Sequence, residues 1–122
     1  MTLHFLEFDV SDDAQGTHGW EALASVTPER LPELLAEIAA VLTWAHQHFG
    51  HERGPIEAGG SWDYDLQCER AQAPPQTLRF DHASGTLAPP PDLRPDERVT
   101  LALALCGSSA FAHAFFERFP PG

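Results

Sequence analysis

The chain of 122 residues carries 18 carboxylates against seven cations, all of them arginine, for a formal charge of -11. A length of this order is that of one domain spanning 1–122, and it buries roughly 65% of the surface that the unfolded chain exposes, so folding needs no metal or disulfide staple. The charge repels phosphates and anionic headgroups, which argues against nucleic-acid and membrane partners.

A hydrophobic fraction of 43%, with eight Phe, three Trp and one Tyr, is that of a globular protein. No apolar run approaches the roughly 20 residues that span a bilayer, and Met1 to Val10 lacks the basic start and apolar centre of a signal peptide. A cytoplasmic protein is expected. Only Cys68 and Cys106 are present, both in strand-like segments, where buried apolar thiols are the expected reading. The absence of Lys and Asn fits a GC-rich bacterial genome.

In chain order, His4 to Val10 reads as a first strand and Ser11 to Gly19 as a turn. Trp20, Ala22, Ala24 and Val26 then alternate with Glu21, Leu23 and Ser25, so a second strand is predicted to return antiparallel to the first. Leu31, Leu34, Leu35, Ile38, Val41, Leu42, Ala45 and Phe49 recur at three- and four-residue steps, the period of one helix face. Thr27 is placed to cap this helix ahead of Pro28, but Pro32 moves its regular start toward Leu31. Gly50 is placed to end it in the left-handed conformation. Leu35 and Ile38 should face the core, and Glu37 should face water and contribute little.

After a glycine-rich loop from Gly50 to Ser61, Trp62, Tyr64, Leu66 and Cys68 alternate with Asp63, Asp65, Gln67 and Glu69, the pattern of a half-buried strand. A fourth strand is expected from Thr77 to about Ala83, with Leu78, Phe80 and His82 on one side and Arg79 and Asp81 on the other. Ala88 to Pro95 is an extended proline-rich connection. Val99 to Cys106 then alternates Val and Leu with Thr and Ala, as an interior strand would. Ser108 or Ser109 caps a last helix with Phe111, Phe115 and Phe119, which Pro120 and Pro121 stop. Grouped rather than alternating strands imply an α+β fold: a mainly antiparallel sheet of four or five strands, two helices on one face, in the order ββαβββα.

The motifs that carry chemistry are sparse. His46, His48 and His51 invite a metal, yet His46 and His48 point to nearly opposite sides of a helix, so no metal is expected, and without a Gly-rich phosphate loop, a Cys-x-x-Cys spacing or a dinucleotide fingerprint no cofactor is expected either. Cys106-Gly107-Ser108-Ser109-Ala110 lies between a strand and a helix, where a nucleophile elbow or an anion-binding helix start occurs. With glycine missing at Phe111 and no His and Asp partner assignable, helix capping is the preferred reading. Asp63 and Asp65 share a strand face at a spacing of roughly 6.6 Å, which suits paired carboxyls and equally a solvated face.

The informative feature is the face opposite the helices. There Ala102 and Ala104 make a small apolar floor, rimmed by Asp63, Asp65, Glu69, Arg79 and Asp81. Such a face suits a protein-interaction module docking a basic protein, or a homodimer in which Arg79 pairs across the twofold with Asp63 or Asp81. The alternative is a small-molecule-binding protein or small enzyme with a pocket on the same face.

Overall fold

The computed structural model describes residues 3–12, 17–50, 53–54, 59–71, 73–81, 83–90 and 93–119. His51, His82, Pro120 and Pro121, to which the sequence reading gave places, lie outside these residues. The elements in chain order are β1 (Asp9–Asp12), β2 (His18–Val26), α1 (Leu31–Phe49), β3 (Trp62–Arg70), β4 (Ala73–Thr77), β5 (Phe80–Asp81), β6 (Thr86–Leu87), β7 (Val99–Gly107) and α2 (Ser109–Arg118). The fold is α+β, with a five-stranded antiparallel sheet in the order β1-β2-β7-β3-β4 and a separate β5–β6 hairpin.

β7 has no charged residue, so it takes the centre, where both of its edges are hydrogen-bonded. It pairs with β2 from Gly107↔His18 to Val99↔Val26, and with β3 from Gly107↔Trp62 to Val99↔Arg70. The alternation of all three strands delivers one buried face, built from Trp20, Ala22, Ala24, Val26, Trp62, Leu66, Cys68 and the Val and Leu residues of β7. Both helices bury their apolar stripes against this face in a single core.

At one end the core is aromatic. Phe111 of α2 stacks on Trp62 with centroids 5.6 Å apart and planes at 5°, while Trp20 and Trp44 each meet it at 5.7 Å. Gly107 makes this packing possible, because a Cβ there would collide with Cδ1 and Cγ of Phe111. Of the two serines expected to cap α2, Ser108 does so, its hydroxyl accepting from Phe111 N at 3.3 Å.

α1 buries the predicted face, including Leu31, Leu34, Leu35, Ile38, Val41, Leu42 and Ala45. Its ends differ from expectation. Thr27 offers its carbonyl rather than its hydroxyl, accepting from Arg30 N and Leu31 N, and Gly50 is right-handed at φ -57°, so its special freedom is unused.

Glu37 overturns its expected exposure. It is 6% exposed, and its carboxylate accepts from the backbone N–H groups of His4, Phe5 and Leu6 at 2.9, 2.9 and 2.8 Å. These amides are the donors that a strand from His4 would have needed. The first strand therefore begins only at Asp9, after the chain has crossed α1 and buried Leu6.

The fourth strand is also displaced. β4 is Ala73–Thr77 and contains Pro74 and Pro75, which an edge strand tolerates because one side of it needs no donors. Both prolines oppose Glu69 in a bulge between the Cys68↔Gln76 and Arg70↔Ala73 pairs. One further hydrogen bond, Leu78 N to Leu66 O, ends the pairing. Phe80 and Asp81 then pair with Leu87 and Thr86, and the Phe80 ring stacks on His46 of α1 at 5.5 Å.

A two-toothed ion pair clamps the end of β3 to the approach to β7: Arg70 Nε and Nη2 donate to Glu97 at 2.9 and 3.0 Å. This hydrogen bonding holds the Glu97 carboxyl below its ordinary range. Because the folded pKa lies below the unfolded one, the contribution is present above the unfolded pKa and is lost as pH falls through the folded value.

Two outcomes follow from these contacts. In urea unfolding, Glu37→Ala costs about 2 kcal/mol or more, because three amides lose a charged acceptor, and Ile38→Ala costs roughly 2 to 5 kcal/mol. A Glu37→Ala loss near zero would show that water replaces the carboxylate without cost. On acidification the wild type loses more stability than Glu97→Gln, which has no carboxyl to protonate; equal losses would mean that the Arg70 pair contributes nothing.

Candidate functional site

The alternation that buries one sheet face turns the other outward, and strand register decides which outward residues become neighbours. Across β2, β7 and β3 they form four rungs: Gly19, Cys106 and Asp63; Glu21, Ala104 and Asp65; Leu23, Ala102 and Gln67; Ser25, Thr100 and Glu69. β1 sets Asp9 beside Glu21, and β4 sets Thr77 beside Gln67.

Ala102 and Ala104 are half-buried at the centre, as the alternating Leu and Ala pattern implied. Leu23 stands beside Ala102 and is 70% exposed. Around this apolar patch lie Asp9, Glu21, Asp65 and Glu69, all exposed. Glu21 and Asp65 flank Ala104 from opposite strands, roughly 9 to 10 Å apart across two strand spacings, so their fields overlap at physiological ionic strength.

The remaining polar groups of the face are engaged locally. Asp63 pairs with Arg53 Nε at 3.1 Å, and that guanidinium lies 4.7 Å from the Tyr64 ring centroid. Asp65 accepts from Gln67 Nε2 at 3.1 Å, and Gln67 also donates to Thr77 Oγ1 at 2.9 Å. The two carboxylates considered as an acid and base pair are thus turned to different partners. Arg98 closes one end of the face by donating to Ser25 O at 2.9 Å.

Arg79 and Asp81 do not belong to this face. Sheet pairing stops at Leu78, leaving Arg79 exposed and outside any strand, and Asp81 lies in β5, where its carboxylate accepts from Ala83 N at 3.0 Å and shapes the hairpin turn. Conversely, Asp9, Glu21 and Leu23 were not assigned to the site from sequence. The alternation of β2 had displayed Glu21 and Leu23, but only the strand order places β2 against β7.

Among the described residues, grooves lie on the helix side. One, of about 540 Å³, runs between α1 and the β5–β6 hairpin and is lined by apolar groups such as Leu31, Leu35, Ala39, Leu87, Pro89 and Leu93. A second, of about 630 Å³, follows Ala36, Ala40, Thr43 and Trp44 to Arg118. His46 packs its edge on Trp62 at 5.1 Å, whereas His48 stacks on Trp44 at 5.3 Å, so the helix does turn these two imidazoles to different surroundings.

No protein-family model, no curated protein and no solved structure matches the chain. The cysteines report on the two sheet faces. Cys68 is buried on the core side, and burial pushes its thiol pKa up against the pull of Arg70, while Cys106 is half-buried on the open face. A thiol-specific alkylating agent is therefore expected to modify Cys106 well before Cys68 under native conditions, as read by peptide mass spectrometry. Faster labelling of Cys68 would reverse the assignment of the faces.

Proposed function

We propose that the protein is an interaction module whose open sheet face docks a basic protein. The observation that carries this reading is the exposed Leu23 beside the half-buried Ala102 and Ala104, ringed by Asp9, Glu21, Asp65 and Glu69. An apolar side chain of the partner fits against small residues, and arginine or lysine around it meets the carboxylates, which speeds encounter and rejects acidic competitors.

Charge disfavours a homodimer through the same face. With Arg79 outside the sheet, a twofold axis near Ala104 would bring Glu21 and Asp65 of two copies together without the cation that was to pair them. A second reading, small-molecule binding, is favoured by the apolar groove beside α1 rather than by the sheet face.

The test is association of captured basic proteins with wild type and with a Glu21→Lys, Asp65→Lys double variant. The double variant should associate about tenfold or more slowly at low salt, with the difference shrinking as salt rises, and Leu23→Asp should shorten the lifetime of the complex. Unchanged association of every captured partner with both variants would leave the face as solvated surface and remove this reading.

A further inference from the structure

A second group of side chains gathers where β2 meets the start of α2, at the end of the sheet. His18 opens β2, paired with Asp12 on one side and Gly107 on the other. Its Nδ1 lies 2.8 Å from Asp12 Oδ1, and its Nε2 lies 3.5 Å from Ser109 Oγ. Trp20 stacks beneath the imidazole at 6.2 Å and 27°, which limits its rotation.

Ser109 is held by its neighbours. It is the first residue of α2, directly after Ser108, whose N–H donates to Ser61 O at 2.8 Å and whose hydroxyl caps the helix. Gly107, just before, cannot gain a side chain without displacing Phe111. Asp12 and Ser109 are both exposed, so a substrate reaches them without a rearrangement of the core.

We propose that Asp12, His18 and Ser109 form a hydrolytic triad acting on small neutral or cationic carboxylic esters. The carboxylate, the imidazole and the hydroxyl occur in the order that such chemistry needs, with one ring nitrogen toward each partner. The 3.5 Å separation is the outer limit of a hydrogen bond, and such contacts tighten when substrate enters. The net charge of -11 sets the substrate class, since it repels anionic esters.

In the first half-reaction Ser109 Oγ bonds to the ester carbonyl carbon while its proton passes to His18 Nε2. The oxyanion forms at the positive end of α2, where the first-turn N–H of Ala110 has no acceptor within the helix. Collapse breaks the bond to the alkoxy oxygen, which leaves as the alcohol with the proton from His18, and Ser109 remains acylated. Water then attacks the acyl carbon and gives its proton to His18; collapse returns that proton to Ser109 and releases the carboxylic acid. One ester and one water become one alcohol and one acid, with no oxidation or reduction. Asp12 is a positioning residue: it accepts Nδ1–H and keeps the Nε2 lone pair directed at Ser109.

The full chain is tested with p-nitrophenyl acetate as substrate and a fluorophosphonate as covalent label. The label should appear on Ser109 alone by peptide mass spectrometry, and Ser109→Ala and His18→Ala should each lose roughly 100-fold or more in kcat. Asp12→Asn should lower kcat with KM unchanged, and Cys106→Ser should keep the wild-type rate, which separates a serine ester from reaction at the nearby thiol. Urea unfolding of each variant shows that it is folded. An exposed imidazole attacks activated esters by itself, so Ser109→Ala hydrolysis that stays near the wild-type rate overturns the proposal. So does labelling elsewhere, or wild-type turnover no faster than free imidazole. These outcomes are independent of the docking reading, which concerns the open face.

Discussion

β7 hydrogen-bonds to β2 and β3 along all nine of its residues, which shields both edges of a segment that has no charge of its own. Each of its side chains is then assigned to one of two environments. Val99, Leu101, Leu103 and Leu105 go under the helices, and Thr100, Ala102, Ala104 and Cys106 go to the open face. A slip of one residue in either pairing would exchange these sets and bring Leu residues into water, so register is strongly specified. The pairing that builds the core also aligns the rungs of the open face and places His18 next to the turn that leads to Ser109.

Two local devices hold the helices in place. At one end the Phe111 ring lies flat on Trp62 over Gly107, with Trp20 and Trp44 closing around it, so α2 docks in one orientation. On the other helix, Glu37 gathers three consecutive backbone amides and ties the N-terminal segment across α1. A buried carboxylate is costly unless it is fully hydrogen-bonded, and three N–H donors offset that desolvation. Both devices join parts of the chain far apart in sequence.

The two proposed activities use different physics and different ground. The open face combines a weakly apolar centre with exposed carboxylates around it, which suits association over a broad area. The group at the end of the sheet is small and directional, defined by which nitrogen of one imidazole meets which oxygen. Both share the strong negative field of the molecule, which favours basic partners at the first and excludes anionic substrates at the second.

The sequence by itself determined the α+β class, the buried faces of α1, β2, β3 and β7, and the small floor of Ala102 and Ala104, because helical and strand periods are local properties that burial reads directly. It also narrowed the cap of α2 to Ser108 or Ser109, of which the structure uses Ser108. Only tertiary structure decided which strands adjoin β7, and so whether Glu21 or Arg79 would stand beside Asp65. The expected strand through Arg79 and Asp81 is replaced by the short β5, where Phe80 pairs with Leu87 and its ring packs on His46 of α1, a contact that no local pattern records. Glu37 looked like a solvated residue since helical periodicity gives its side but not the N-terminal segment that crosses there. Asp12 and His18 lie in the first strands and Ser109 close to ninety residues later, so no spacing connects them; the pairing of β1, β2 and β7 does, because register brings distant residues to one edge.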